Sequence, residues 1–269
     1  MSVTIFRHEF LSRLRSVIVW SVSIFALVFL FFSIFPGFAK DAALISQLWE
    51  KFPPQLRAAF GIDKINFTTV LGYYAFLLIF AEICLSIQAG NYGFGLVSVE
   101  ENELTADFLL TKPVSRLQVL NSKLLAALSA MGLTTLAAWA VSLLSIAVWN
   151  DGHEYDPQVL WLVMLSLPLF QVFFLGVGLA VSLLVKRVRS VTPFSLGLGF
   201  GGYVLSAFSG MLGDVKLEYI TPFKHWDPSY IVNNAAWNTP LALLNVGVTV
   251  AAVAVAYVLY IRRDIPAVS

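Results

Sequence analysis

Residues 97–123 read VSVEENELTADFLLTKPVSRLQVLNSK. The run holds four carboxylates (Glu100, Glu101, Glu103, Asp107) and three basic residues (Lys112, Arg116, Lys123). The apolar stretches on either side, about Phe67 to Val97 and Leu124 to Trp149, hold one charged residue between them, Glu82. About 20 apolar residues cross a bilayer core as a helix. Each flank therefore reads as a span, and the charged run lies outside the membrane at the end the two spans share.

Extending this test along the 269 residues finds four more such stretches: Val17 to Phe35, Val159 to Val185, Val191 to Leu212, and roughly Thr239 to Ile261. Composition agrees. The chain is 58% hydrophobic and 12% charged, against about 25% charged in soluble domains. A soluble fold of this make-up would expose large apolar patches. The net charge of +1 gives no reason to expect nucleic acid. A lone Cys84 excludes an internal disulfide and a multi-cysteine metal site, and the scattered histidines form no H-E-x-x-H metal motif. The basic N-terminal stretch before Val17 resembles a signal peptide, but no small-x-small cleavage site follows, so it reads as a retained first span.

Lys and Arg set the expected orientation. Arg7, Arg13 and Arg15, then Lys112, Arg116 and Lys123, then Lys186, Arg187 and Arg189, then Arg262 and Arg263 hug the span ends on one side. The other side is richer in acid, and its NDGHEYDP loop (150–157) has no Lys or Arg. Both termini and the opening run are expected to face the cytoplasm of a cell membrane. Trp49, Trp149, Trp161, Trp226 and Trp237 fall near the outer span boundaries, as interfacial aromatics do. Residues 1–16 are expected to form an amphipathic cytoplasmic segment, either a contact for a soluble partner or a headgroup anchor through Arg7, Arg13 and Arg15. Residues 39–66 are expected to be an outer loop with short amphipathic helices carrying Leu44, Leu48, Phe52 and Leu56, serving as a cap or as a gate over an exit path. Residues 213–238 are expected to form a second outer loop.

Within the run, Ser98 with Glu101 fits an S-x-x-E capping box, and Ser115 with Gln118 a second one. Pro113 disfavours helix at Lys112. The expected design is helix over about 98–112, a tight elbow at 112–114, then the helix that becomes the third span. Glu100, Glu103 and Asp107 share one stripe of the first helix. From the residues alone this helix either anchors two spans at the interface or presents a mixed surface to a soluble partner.

The order of these residues resembles the signature of ABC-2-type permeases, the membrane subunits of ATP-binding-cassette exporters. The matches are Glu100, Glu101, Thr105, Leu109, Leu110, Pro113, Val114, Ser115, Arg116 and Lys123; Leu104 and Ala106 depart from the usual Gly and Leu. FPPQLRAAFGI (52–62), before a Thr-rich start to the second span, is similar to that family's outer segment. The resemblance implies an all-α membrane protein of six transmembrane helices, with 98–112 as a coupling helix docking on a separate ATPase. Glu100, Glu101 and Glu103 would meet polar or basic groups there, and Leu109 and Leu110 would fix the helix to the permease. It implies two ATPase subunits as partners, a second copy of this chain or a similar permease, and lipid around them. ATP and Mg would be held by the partner. No G-x-x-x-x-G-K-[ST] loop occurs here, and GNYGFG (90–95) ends a span, so it suits close helix packing better than phosphate.

Glu82, within the second span, is a site candidate by default. It would take up a proton or cation, meet a polar group on a cargo, or sit hydrogen-bonded at a helix interface near Gln88 or Asn91. Tyr73 and Tyr74 would border a cargo path or serve as ordinary packing. The functional expectation is ATP-driven export of a hydrophobic or amphipathic compound such as a peptide antibiotic, lipid or drug, with no bond chemistry in this chain. The rival expectations are a secondary carrier using Glu82 for its coupling ion, and a transport-incompetent signalling or scaffold protein.

Overall fold

The computed structural model describes residues 2–103, 114–185, 188–212 and 216–262. Among them every regular element is helical. Six helices are long and apolar enough to cross a membrane: α1 (Val3–Phe32), α5 (Val70–Glu103), α6 (Arg116–Trp149), α7 (Pro157–Leu184), α8 (Val191–Leu212) and α11 (Thr239–Arg262). Short helices fill two connections: α2 (Phe35–Lys40), α3 (Ala42–Glu50) and α4 (Pro54–Ala59) before α5, and α9 (Pro222–His225) and α10 (Pro228–Asn234) before α11.

Cross-helix hydrogen bonds sort the ends of these rods. Ser2 N donates to Ser122 Oγ (2.8 Å), Lys123 Nζ to the Leu96 carbonyl (2.8 Å), and Arg116 Nη1 to the Ile261 carbonyl (3.1 Å). The start of α1, the last turns of α5, the start of α6 and the end of α11 thus gather at one end, called here the base. At the far end, Lys40 pairs with Asp151 (3.2 Å) and Trp237 Nε1 donates to the Leu162 carbonyl (2.9 Å).

Helix α1 has no Gly or Pro and runs unbroken from Val3. Its first turns are therefore a continuation of the span rather than a separate surface helix. Arg13, expected as a headgroup anchor with Arg7 and Arg15, instead turns inward: it pairs with Glu9 one turn earlier and sits over the Tyr92 ring, 5.8 Å from its centroid. Arg7 and Arg15 stay exposed.

Helices α5 and α7 form the centre, and glycines set how closely they meet. A Cβ on Gly93 would lie 2.4 Å from the Leu175 carbonyl oxygen, and one on Gly199 of α8 2.7 Å from Ser86 Oγ of α5. The GNYGFG run is thus a packing seam, where small residues bring backbones together. Pro168 does not interrupt α7.

The 213–238 segment does not lie wholly on the surface. Phe223 stacks edge-on with Phe170 (4.9 Å between centroids) in the middle of α7, and Trp226, expected at the interface, is buried in the core. By contrast Leu48, Phe52 and Leu56 of the 39–66 segment remain exposed.

Gly93→Ala is expected to lower the melting temperature of the detergent-solubilised protein, at the cost of about 1–3 kcal/mol typical of overpacking. Gly197→Ala, where a Cβ meets nothing within 4 Å, should leave the temperature unchanged or slightly higher. Thermal scans at one fixed rate compare the two.

Candidate functional site

The charged run begins as the last turns of α5. Ser98 was expected to open a new helix, yet α5 continues through it to Glu103. Ser98 is buried and its Oγ donates back to the Phe94 carbonyl, 2.6 Å away, as a serine does inside a helix. Nothing between Phe94 and Glu103 breaks the helix, so there is no N-terminus to cap. Glu100, Glu101 and Glu103 therefore extend the second span directly. Thr105, Leu109, Leu110 and Pro113 lie outside the described residues.

The second capping box forms. Ser115 Oγ accepts from Gln118 N (3.2 Å) and Gln118 Oε1 accepts from Ser115 N (3.1 Å). Two exposed N–H groups at the start of α6 are satisfied in this way, which opens the third span. Arg116, one residue on, reaches the Ile261 carbonyl in the last turn of α11, where a cation is favoured by the helix dipole.

Within the base lies a polar clamp that the sequence pattern did not single out. Lys123 is 3% exposed; besides the Leu96 carbonyl it faces Glu9 Oε1 at 3.7 Å, and Glu9 also pairs with Arg13. Three helices, α1, α5 and α6, are thus tied near the last turns of α5. The available signal was slight: Glu9 is the one acid in a basic stretch, and Lys123 stands at the threshold of an apolar span. Deeper in, Gln88 Nε2 donates to Thr134 Oγ1 (2.8 Å), and Tyr92 OH to Ser16 Oγ (3.2 Å).

Glu82 occupies a different region. It is 1% exposed, and its Oε1 has no hydrogen-bond partner among the described residues. Gln88 and Asn91 do not approach it. At 100° per residue they project about 120° and 180° away around the helix, and they bond to Thr134 and Ser195 instead. The charged groups acting on Glu82 are Asp227 and Lys224, from the inserted 216–234 segment. Asp227 caps α10, with Oδ1 accepting from Ser229 N (2.9 Å), and its Oδ2 accepts from Lys224 Nζ (3.3 Å). Glu82, Lys224 and Asp227 line one cavity of about 130 Å³.

Tyr73 and Tyr74 do not face this cavity. Tyr73 OH donates to the Phe31 carbonyl and Tyr74 OH to Ser142 Oγ, both at 2.8 Å, within the core between α1, α5 and α6.

His225, beside the cavity wall, is buried between two partners. Asn245 Nδ2 donates to its Nδ1 (3.1 Å), so the ring proton sits on Nε2 and donates to the Tyr219 carbonyl (3.3 Å). Burial holds this imidazole below its ordinary range, against the opposing pull of the Tyr219 and Glu218 carbonyls.

The arrangement defines a multi-pass helical membrane protein with the end of α5 and the start of α6 at its base and no bond-making constellation among the residues described. A family model, ABC-2 family transporter protein, matches residues 3–265, and the chain belongs to that family. It is an ABC transporter permease, of a family whose members work with an ABC ATPase. No curated protein and no solved structure matches the chain.

Two outcomes are expected here. Lys123→Met leaves Glu9 and the Leu96 carbonyl short of a donor. Breaking a buried pair from one side costs about 3 kcal/mol, whereas adding Glu9→Gln should cost less than the sum of the single changes; thermal scans of the three variants measure this. For His225, the unfolded chain binds a proton first as pH falls below about 6.5. Stability of the 216–234 segment is therefore highest above that value and declines below it. Hydrogen exchange at pH 7.5 and 5.5, corrected for the intrinsic slowing of amide exchange at lower pH, should show smaller protection factors there at pH 5.5, and His225→Gln should flatten the difference.

Proposed function

We propose that this permease couples ATP hydrolysis by a separate ATPase to export of a hydrophobic or amphipathic compound, such as a peptide antibiotic, lipid or drug. The working unit is two permease chains, identical or similar, with two ATPase subunits. The partner chains hold ATP and Mg; this chain contributes no nucleotide chemistry. Both termini and the 98–112 hairpin face the cytoplasm of the cell membrane, in keeping with the Lys and Arg at the base.

One observation carries this reading. Helix α5 passes from the middle of the bundle to Glu103 without a break, and α6 restarts at Arg116 with a satisfied N-terminus. A force applied to the hairpin would reach two stiff spans directly. Glu100, Glu101 and Glu103 supply charge for docking, with Thr105, Leu109, Leu110 and Pro113 completing the hairpin and Ser115 and Arg116 fixing its return. Helix α5 is 34 residues long, roughly 50 Å, so a tilt of about 10° moves one end by about 9 Å relative to the other. Closure of the two ATPases would supply that tilt, and cargo would pass between permease chains.

Reversing Glu100 and Glu101 to Lys tests the docking. The variant should insert normally, retain less ATPase on co-purification, and lose vanadate-sensitive export in proteoliposomes. Full retention of the ATPase contradicts the assignment. Gradient-driven transport without any ATPase would favour a carrier, and hydrolysis without cargo movement a scaffold.

A further inference from the structure

We propose that the Glu82 cavity is a binding site for an organic ammonium group. Glu82 lies 12 residues from the start of α5, about 18 Å along the helix, where a carboxylate is costly to place. One of its oxygens is buried without a partner among the described residues. A donor entering the cavity would satisfy that oxygen.

The walls select the kind of donor. Asp227 is already committed, to the cap of α10 and to Lys224. The remaining walls include Tyr203, Ser206, Phe223 and residues 58–61. Tyr203 and Phe223 meet edge to face, 5.8 Å between centroids. A carboxylate beside two aromatic rings suits a cation with an apolar stem, because ring faces attract ammonium groups. An inorganic ion would want a shell of oxygens, and no group of three or more His, Cys, Asp or Glu side chains positioned to hold a metal ion occurs among the described residues. The cavity, about 130 Å³, exceeds what a lone proton needs. Asp63 and Lys64 also line it, beside Lys224 and Asp227. The ammonium would come either from a lipid headgroup or from a free amine such as a cargo.

Binding is independent of transport and is measured on the purified chain without an ATPase. The protein is placed in phosphatidylcholine nanodiscs and titrated calorimetrically with n-butylammonium and, as the neutral match, n-butanol. Wild type should bind butylammonium at least tenfold more tightly than butanol. Glu82→Gln, nearly the same size, should erase that preference, and Tyr203→Leu should weaken butylammonium binding severalfold. Equal binding of the two probes by wild type, or equal affinity of wild type and Glu82→Gln for butylammonium, overturns the proposal. Should Glu82→Gln not fold, unchanged affinity in Tyr203→Leu overturns it. Native mass spectrometry from nanodiscs containing phosphatidylethanolamine separates the sources. Enrichment of that lipid on wild type but not on Glu82→Gln identifies the headgroup; butylammonium binding without enrichment identifies a free amine.

Discussion

Close backbone contact between α5 and α7 is the constraint on which the rest of the molecule depends. In lipid there is little hydrophobic force between helices, so association rests on packing and on hydrogen bonds across the contact. At Gly93 the carbonyl of Leu175 fills the space where any side chain would begin. That contact makes α5 a fixed axis, against which α8 packs through Gly199 and α1 through the core around Phe32 and Tyr73. A rod held in this way can transmit a displacement along its length, because neighbouring elements would have to unpack before it could bend.

The two candidate regions, the docking end and the Glu82 cavity, sit on this one helix, about 30 Å apart by helical rise from Glu82 to Glu103. At the base, Lys123, Glu9 and the Leu96 carbonyl hold α1 and α6 to the point where α5 emerges. Toward the far end, Glu82 faces the inserted segment carrying Lys224 and Asp227. Any tilt of α5 imposed at the base would alter the walls of the Glu82 cavity, since Tyr203 and Phe223 belong to other elements. On the proposed reading, the route between the regions is one continuous helix rather than a chain of side-chain switches.

Much of this was legible in the sequence, and the failures have physical causes. Span positions followed from apolar length: α8 begins and ends where hydropathy placed it, and α6 starts at the Ser115 capping box. The Ser98 box was misleading because a capping pattern is local. It cannot report that the preceding span is still helical and needs no cap. Glu82 was recognisable as a charge in an apolar run, but its partners were not, because Lys224 and Asp227 are more than 140 residues away in sequence and read as loop charges. The inward turn of Arg13 was equally hidden, since positive charge near a span end predicts lipid headgroups unless a carboxylate such as Glu9 intercepts it. The glycines of 90–95 were readable as packing residues, although the backbone oxygen they admit was not.

The central claim is that the base hairpin, and not the far end, receives the ATPase. Site-specific photocrosslinking measures this most directly, with a photoreactive amino acid placed at position 103 or, at the opposite end, at position 154 in membranes containing the permease and its ATPase. The account predicts capture of a polypeptide identified by mass spectrometry as the ATPase from position 103 and none from position 154. Capture from 154 with none from 103 would contradict it.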